Sequence, residues 1–467
     1  MLLKKKGILL KSVFFLCLNC QNFQMFERFQ NALRKFVTKP FYMKTVSSIR
    51  KNYGFIVIQK LVVASVLIGF SSAFLAIALK KITEHYESIF FEQASSNKIL
   101  LVVFPAFGLF VIYFLRQYLF KKKENKGIKE IFESTVSKTK NLPVYKIPSH
   151  FFNGFLTVIF GGSTGIEVST VVASATIGSV AQQKENVFRK YKSELICAGV
   201  AAGITALFCT PFAGILFAYE VISKKTTRVF FLTNVISVVV AFALITISKE
   251  QPLFAINITN WNYYAIPYFI LLGILAGLHS VYLTKCVVFF KTNFFKSKTQ
   301  VLRIVFGAAT ISILLLILPQ LYGDGYHSIH QIIANPNISL TLTLGLTFGA
   351  LIFIKPIITS ATLASGGDGG VFAPSLFIGA FLGLLTALVL NTFFNANVIP
   401  LNFLVIGMAA MLSASIHAPF TALFLVCGLT GDYTLFFPIL LVCIVSKFTA
   451  KMIFPFTVYT IPISLSK

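Results

Sequence analysis

The stretches GGSTGIEVS (residues 161–169) and GGDGGVFAP (residues 366–374) interrupt two apolar regions of the chain with closely spaced glycines. The two stretches align glycine for glycine, and a Pro-Phe pair follows each of them after a similar interval, at Pro211 and at Pro419. Matched landmarks at matched spacing predict a duplicated unit. Paired glycine- and proline-interrupted segments in two halves are typical of membrane proteins whose binding site lies near the middle of the bilayer.

The composition places the whole chain in a membrane. The chain has 467 residues, of which 56% are hydrophobic and 12% charged, and its mean hydropathy is +0.81; a soluble domain carries about 25% charged residues. A membrane span needs roughly 20 apolar residues, because the hydrocarbon core is about 30 Å thick. The sequence therefore predicts an all-α, multi-pass integral membrane protein. Its long apolar runs are 55–79, 99–119, 230–247, 263–290, 304–321, 340–363, 371–390 and 436–454, and shorter or proline-broken runs are 155–160, 196–217 and 401–429.

The glycine-rich breaks favour binding of an anion. A loop that runs directly into a helix leaves the first backbone N–H groups unpaired, and the helix dipole adds partial positive charge there. Such an end binds an anion without a full positive charge. This suits a pore, in which binding must be reversible. A single break of this kind is equally well explained by close packing between helices, but two matched breaks favour the anion site.

The basic residues set topology rather than bind nucleic acid. The chain has 41 basic and 15 acidic residues and a net charge of +26. Its Lys and Arg residues lie in short connections between apolar runs, where the positive-inside rule expects cytoplasmic loops. We therefore predict contact with anionic membrane lipid, and no nucleic-acid partner. The basic segments are the N-terminal stretch, 121–140, 184–192, 224–228 and 291–298.

The first fifty residues and the cysteines give weaker signals. A basic start, an apolar stretch and a Cys resemble a secretory or lipoprotein signal, but an over-long start or a cytoplasmic tail fits the positive-inside rule better. Cys17 and Cys20 form a lone CxxC pair, and most of the seven cysteines lie in apolar runs. We expect no disulfide framework, no metal site and no cofactor. We also expect no regulatory domain after the last helix.

At the second glycine-rich break the chain resembles the CLC family of chloride channels and transporters, and the resemblance extends over residues 53–463. Residues 370–374 match the family's G-x-F-x-P motif in full, and residues 407–433 resemble the segment before its last long helix. Residues 213–217 followed by Glu220 are equally typical. The resemblance implies the CLC-type fold of two inverted repeats of broken and tilted helices. It also implies a homodimer with a pore in each subunit, passive or proton-coupled transport of chloride or similar small anions, and a bacterial inner membrane.

The resemblance also implies a domain plan. Residues 1–50 form an N-terminal cytoplasmic tail or a mis-assigned start. Residues 51–250 form the first membrane repeat and residues 260–457 the second. Residues 458–467 form a C-terminal pore-lining helix.

The same resemblance assigns the site. The family's first-half motif, G-[RK]-E-G-P, is here GIEVS, in which only Gly165 and Glu167 are kept. Glu167 is the expected gate, because a lone carboxylate in an apolar region of a membrane protein is functional by default. Ionised, it would plug the anion path; protonated, it would leave and admit chloride. The expected anion-binding residues are Gly165, Ile166, Val168, Gly370, Val371, Phe372, Ala373 and Tyr459.

Two departures from the family leave mechanism and selectivity open. Lys126 stands where the family has its anion-coordinating Ser, so we expect it at the inner mouth, steering anions, with the preference among anions undecided. Val221 stands where exchangers carry an inner carboxylate, which predicts weak or absent proton coupling. A chloride/proton antiporter and, in another class, a cation-coupled secondary solute transporter remain alternatives. We find no catalytic constellation, so the sequence does not predict an enzyme.

Overall fold

The computed structural model of the protein describes residues 46–120, 127–137, 139–223, 226–258, 260–294, 299–335 and 339–461. Within these ranges the chain forms sixteen α-helices, some of them continued by single turns of 3₁₀ or π-helix, and no β-strand. The all-α prediction is confirmed. The helices are α1 Val46–Ser96, α2 Leu100–Phe114, α3 Ile128–Val136, α4 Lys146–Ile159, α5 Glu167–Gln182, α6 Lys192–Phe208, α7 Pro211–Phe217, α8 Arg228–Ile247, α9 Ile266–Phe289, α10 Gln300–Ile317, α11 Tyr326–Ala334, α12 Leu342–Ala364, α13 Phe372–Phe394, α14 Pro400–Ile416, α15 Pro419–Thr430 and α16 Phe436–Ile453.

Nine helical stretches in the described ranges are long and apolar enough to cross a membrane. The eight long apolar runs of the sequence coincide with eight of them, and the ninth covers part of the run 196–217. The multi-pass prediction is confirmed. The stretches are Phe55–Ser96, Leu100–Leu119, Val187–Phe208, Arg228–Ile247, Tyr263–Thr292, Gln300–Ile317, Leu342–Ala364, Phe372–Phe394 and Phe436–Ile453.

The two Pro-Phe landmarks mark the same local structure twice. Helix α6 ends at Cys209 and helix α14 at His417, and both residues adopt left-handed backbone, with φ of 57° and 55°. A proline then begins the next helix, Pro211 in α7 and Pro419 in α15. A left-handed residue ends a helix, and proline is well suited to the first helical turn. Each run predicted as proline-broken is therefore two helices joined by a sharp reversal.

The segment between α8 and α9 is tied to the end of α15. The N–H groups of Phe254 and Ile256 donate to the carbonyls of Leu429 and Thr430, at 2.7 and 3.2 Å. The N–H of Ile258 donates to Asp432 Oδ2 at 2.9 Å. Partial burial by itself would raise the pKa of Asp432, but hydrogen bonds from Thr434 and Ile258 hold that pKa below its usual value. The chain between the two predicted repeats is thus fixed by backbone hydrogen bonds.

The described residues from Leu61 onward pack as one compact unit, and the described part of residues 1–60 is the beginning of α1. The division into 51–250 and 260–457 stays a prediction. Residues 457–460 form a turn in which the N–H of Thr460 donates to the Thr457 carbonyl at 3.1 Å. The rest of the predicted C-terminal helix 458–467 lies outside the described residues, as do Cys17, Cys20 and Lys126.

Small residues let neighbouring helices approach to backbone contact. A Cβ added to Gly379 in α13 would lie 2.2 Å from the carbonyl oxygen of Gly407 in α14. The pair α5 and α6 repeats this arrangement, since a Cβ on Gly178 would lie 2.2 Å from the Leu195 carbonyl oxygen. Close backbone approach through glycine is a main source of helix association in membranes, where water does not drive burial.

We expect Gly379→Ala to destabilise the protein by about 1–3 kcal/mol, because the new methyl group meets backbone that cannot move without separating α13 from α14. The matched control is Gly349→Ala in α12, where an added Cβ has no atom within 4 Å. That variant should be as stable as the parent or slightly more stable, since alanine favours helix. Thermal unfolding in detergent measures both, and equal midpoints would contradict the packing argument.

Candidate functional site

The two glycine-rich breaks meet in the interior. Gly165 and Gly370 form an isolated antiparallel bridge, which brings the first residues of α5 and α13 together. A Cβ on Gly370 would lie 2.1 Å from Val168 Cγ2 and 3.0 Å from the Tyr459 hydroxyl oxygen. Glycine is therefore required here, because no side chain fits between the crossing loops.

Buried hydroxyl groups hold the crossing loops in place. The N–H of Ser163 donates to Thr362 Oγ1 at 3.2 Å, and the N–H of Asp368 donates to Thr157 Oγ1 at 2.9 Å. Thr164 Oγ1 donates to the Asp368 carbonyl at 3.3 Å. Loop backbone at membrane depth must be satisfied by protein, and these side chains from α4, α12 and the loops satisfy it.

Glu167 is the first residue of α5, and its side chain is 1% exposed. Its Oε1 accepts a hydrogen bond of 2.7 Å from the Tyr326 hydroxyl. Its Oε2 has no hydrogen-bond partner among the described residues. This oxygen packs against Gly165, since a Cβ added to that glycine would lie only 1.9 Å from it. The backbone N–H groups of Glu167 itself and of Ala373 also lie close to the carboxylate. The carboxylate therefore lies between the N-termini of α5 and α13.

The other predicted residues surround this carboxylate. Val371, Phe372 and Ala373 are fully buried, and Ile166 and Val168 are nearly so. Tyr459 reaches α13 from the end of the described chain, and its hydroxyl oxygen accepts a hydrogen bond of 3.4 Å from the Val371 N–H. Its own hydroxyl hydrogen stays available for a ligand. Every predicted site residue that the structure describes is therefore close to the crossing loops.

Tyr326 is a site residue that sequence reasoning missed. It is the first residue of α11, in the sequence GDGYHSIH at 323–330, and its N–H donates to Asp324 Oδ1 at 2.8 Å. The N–H of Asp324 in turn donates to Glu87 Oε1 at 3.2 Å. The Gly-Asp-Gly turn before Tyr326 is a sequence feature that could have marked this residue. Nothing in the sequence, however, connects the turn to Glu167, which lies more than 150 positions away.

A buried lysine fixes the segment before Tyr326. Lys355 in α12 is fully buried, and its Nζ donates to the carbonyls of Leu321 and Gly323 at 3.3 and 3.2 Å. The same ammonium lies 4.5 Å from the ring centroid of Phe377 in α13, a cation–π contact. A buried charge is tolerated only when such partners surround it.

A second polar cluster lies at the base of the other loop. Asp368 Oδ2 is 3.3 Å from Nδ1 of the fully buried His150 and 3.7 Å from Arg116 Nη2. Arg116 follows α2, His150 lies in α4 and Asp368 lies in the loop before α13. Asp368 belongs to the glycine-rich stretch 366–374, but Arg116 and His150 come from two distant segments, and no sequence pattern connects them to it.

Glu220 has a structural environment. Its Oε2 accepts hydrogen bonds of 2.8 Å from both the N–H and the hydroxyl of Thr421, and so it caps the beginning of α15. The neighbouring Val221 is buried and offers no proton-binding group.

Residues 107–451 match the family model described as "Voltage gated chloride channel". A ClcB-like chloride channel protein of Ralstonia nicotianae is 27% identical over 351 residues, which cover 72% of this chain and 78% of the relative. The voltage-gated ClC-type chloride channel ClcB of Escherichia coli O9:H4 is 26% identical over 309 residues, which cover 65% of this chain and 72% of the relative.

Solved structures share the architecture. A CLC-type fluoride/proton antiporter superposes with a TM-score of 0.71 at 23% identity, covering 88% of this chain and 98% of its own. A slow cyanobacterial Cl⁻/H⁺ antiporter superposes with a TM-score of 0.73 at 21% identity, covering 87% of this chain and 97% of its own. The expected CLC-type architecture is confirmed.

We expect Tyr459→Phe to weaken chloride binding about threefold to tenfold, because it removes one neutral hydrogen-bond donor and leaves the ring in place. Calorimetric titration of the protein in detergent measures the dissociation constant. Tyr433→Phe, a change in an exposed loop tyrosine, is the control and should bind as the parent does. Equal affinity of the Tyr459→Phe variant and the parent would remove Tyr459 from the site.

Proposed function

The chain belongs to the voltage-gated chloride channel family, and from this premise we propose that Glu167 gates its anion pathway. The protein is a multi-pass integral membrane protein that transports anions, chloride foremost. Membership of the family does not decide which residues of this chain bind the anion, or which group opens the pathway.

The position of the Glu167 carboxylate carries the proposal. It lies between two helix N-termini, close to the Ala373 N–H, and its contacts among the described residues are a hydroxyl and backbone N–H groups rather than a cation. Helix N-termini attract anions, so an ionised Glu167 occupies the place of a transported ion. Protonation removes the charge that holds it there, and the side chain then yields the place to chloride.

The anion itself is bound by backbone and hydroxyl groups. The contributing segments are Gly165, Ile166 and Val168 at the start of α5, and Gly370, Val371, Phe372 and Ala373 at the start of α13, with the Tyr459 hydroxyl beside them. Partial charges of this kind bind an anion weakly enough for it to leave. Lys126, outside the described residues, would act at the inner mouth by raising the local anion concentration.

The surface supports two partners. Large aromatic side chains on α7, α8, α15 and α16 are exposed, among them Phe212, Phe231, Phe420 and Phe437. The resemblance to the family implies a subunit interface within residues 211–247 and 419–454, which contain these helices. The assembly we propose is therefore a homodimer with a pore in each subunit. Membrane lipid covers the remaining apolar surface.

Chloride/proton exchange is the second candidate function, and the Asp368–His150 pair favours it. Both side chains are buried, and the loop that carries Asp368 is bridged to the loop before Glu167. An imidazole and a carboxyl group are side chains that can bind a proton, which Val221 cannot. Proton coupling is also named for the fluoride and cyanobacterial antiporters that share the fold.

We expect Glu167→Gln and Glu167→Ala to transport chloride at a rate nearly independent of pH, because neither variant can form the charged plug. Chloride efflux from liposomes measures the profile, over a range that extends from the ordinary glutamate pKa of about 4.3 up to about pH 8. Glu92→Gln, a change of a carboxylate at the exposed end of α1, should keep the parental profile. A parental profile in Glu167→Gln would count against the gate.

We expect passive transport: the reversal potential should equal the Nernst potential of chloride, with no uphill proton movement under an imposed chloride gradient. The physical reason is that Val221 cannot bind a proton. Uphill proton movement would instead establish exchange. In that case Asp368→Asn should abolish the proton movement while leaving chloride flux, and Asp432→Asn should change neither.

A further inference from the structure

We propose that Tyr326 is the positioning residue of the gate, whose hydroxyl holds the Glu167 carboxylate in the blocking position. This inference rests on the proposed role of Glu167. Tyr326 makes the hydrogen bond of 2.7 Å to Oε1, while Oε2 has no hydrogen-bond partner among the described residues. A hydrogen bond to an ionised group is about twice as strong as one between neutral groups, so loss of the Tyr326 hydroxyl weakens the blocked state directly.

Tyr326 is fixed both at its ring and at its backbone. It meets the fully buried ring of Phe254 edge-on, with ring centroids 5.3 Å apart, and Phe254 is itself bonded to α15 through its N–H. Its backbone is fixed by the hydrogen bond from its own N–H to Asp324 Oδ1. The hydroxyl is therefore held at one distance from α5 and does not sample the surroundings as an exposed tyrosine would.

The segment that carries Tyr326 is fixed by charges. Lys355 binds the carbonyls of Leu321 and Gly323, and Glu87 accepts from the Asp324 N–H. Lys355 also contacts Phe377 in the second turn of α13, the helix whose N-terminus faces Glu167. A buried ammonium and two carboxylates remain in an apolar interior only in a well-defined arrangement. This network joins α1, α12 and α13 to the hydroxyl that holds the gate.

The groups around Glu167 determine in which direction loss of the Tyr326 hydroxyl shifts the pH dependence of chloride flux. Asp324 and Tyr326 face it from the segment before α11, Tyr459 from the end of the described chain, and Lys355 and Glu87 lie behind Asp324. Tyr326 stabilises the ionised carboxylate, which is the blocking form. Without that hydroxyl, a lower proton concentration suffices to open the path, so the flux profile moves toward higher pH.

The test is Tyr326→Phe in the full chain, reconstituted in liposomes. A hydrogen bond to a carboxylate contributes a factor of about ten or more, so the pH of half-maximal chloride flux should rise by about one unit, with about tenfold more flux on the alkaline side. Tyr322→Phe is the matched control: this buried tyrosine of the same segment donates to the Ile159 carbonyl at 2.6 Å instead, and its profile should stay parental. An unshifted profile in Tyr326→Phe, or an equal shift in both variants, overturns the proposal.

Two further variants separate the possible failures. In a Glu167→Ala background, Tyr326→Phe should add nothing, because the acceptor is gone; an undiminished effect there overturns the proposal. If Glu167→Ala itself keeps the parental profile, the gate assignment fails. If Glu167→Ala removes the pH dependence of flux but Tyr326→Phe causes no shift, only the positioning role of Tyr326 fails. Should Tyr326→Phe not fold, 3-fluorotyrosine at position 326 keeps the ring and strengthens the donor while the hydroxyl stays protonated over the tested pH range. The profile should then move toward lower pH, and a parental or opposite response overturns the proposal.

Discussion

The antiparallel contact between Gly165 and Gly370 places two helix N-termini against each other in the interior of a membrane protein. Everything around it follows from that constraint. The loops need glycine because no Cβ fits between them, and they need the hydroxyls of Thr157, Thr362 and their neighbours because lipid cannot satisfy backbone groups. The first N–H groups of α5 and α13 have no partners within their own helices and therefore favour an anion at this place.

Besides Glu167, two clusters of charged side chains support the crossing loops and the segment before α11. Lys355, Asp324 and Glu87 form one cluster, and Asp368, His150 and Arg116 form the other. The first cluster fixes the segment that carries Tyr326, and the second contacts the loop before α13. Glu167 is the charged group at the crossing itself, and its charge depends on a proton. In the proposed gating role, this carboxylate occupies a place that otherwise attracts an anion only through partial charges.

The packing that supports the crossing is made twice. Gly178 and Gly379 permit backbone contact in the pairs α5–α6 and α13–α14, and Cys209 and His417 reverse the chain in the same left-handed conformation before a proline. The two crossing loops come from the two predicted repeats, and each donates a backbone hydrogen bond to a threonine of the other: Ser163 N–H to Thr362 and Asp368 N–H to Thr157. A change at a helix contact such as Gly379 therefore acts on the site as well as on stability.

The sequence by itself determined that the protein lies in a membrane, where its apolar spans are and which two glycine-rich stretches correspond. These features depend on local composition and on landmarks that recur at matched spacing along the chain. It also pointed to Glu167, since one carboxylate in an apolar region stands out without any structure. Only the tertiary structure decided what surrounds that carboxylate. Tyr326, Lys355, His150 and Arg116 are ordinary residues in their own segments and become partners of the site through contacts between helices far apart in sequence. Side-chain hydrogen bonds and buried ion pairs depend on distances of a few ångströms between such helices, and no local pattern encodes those distances.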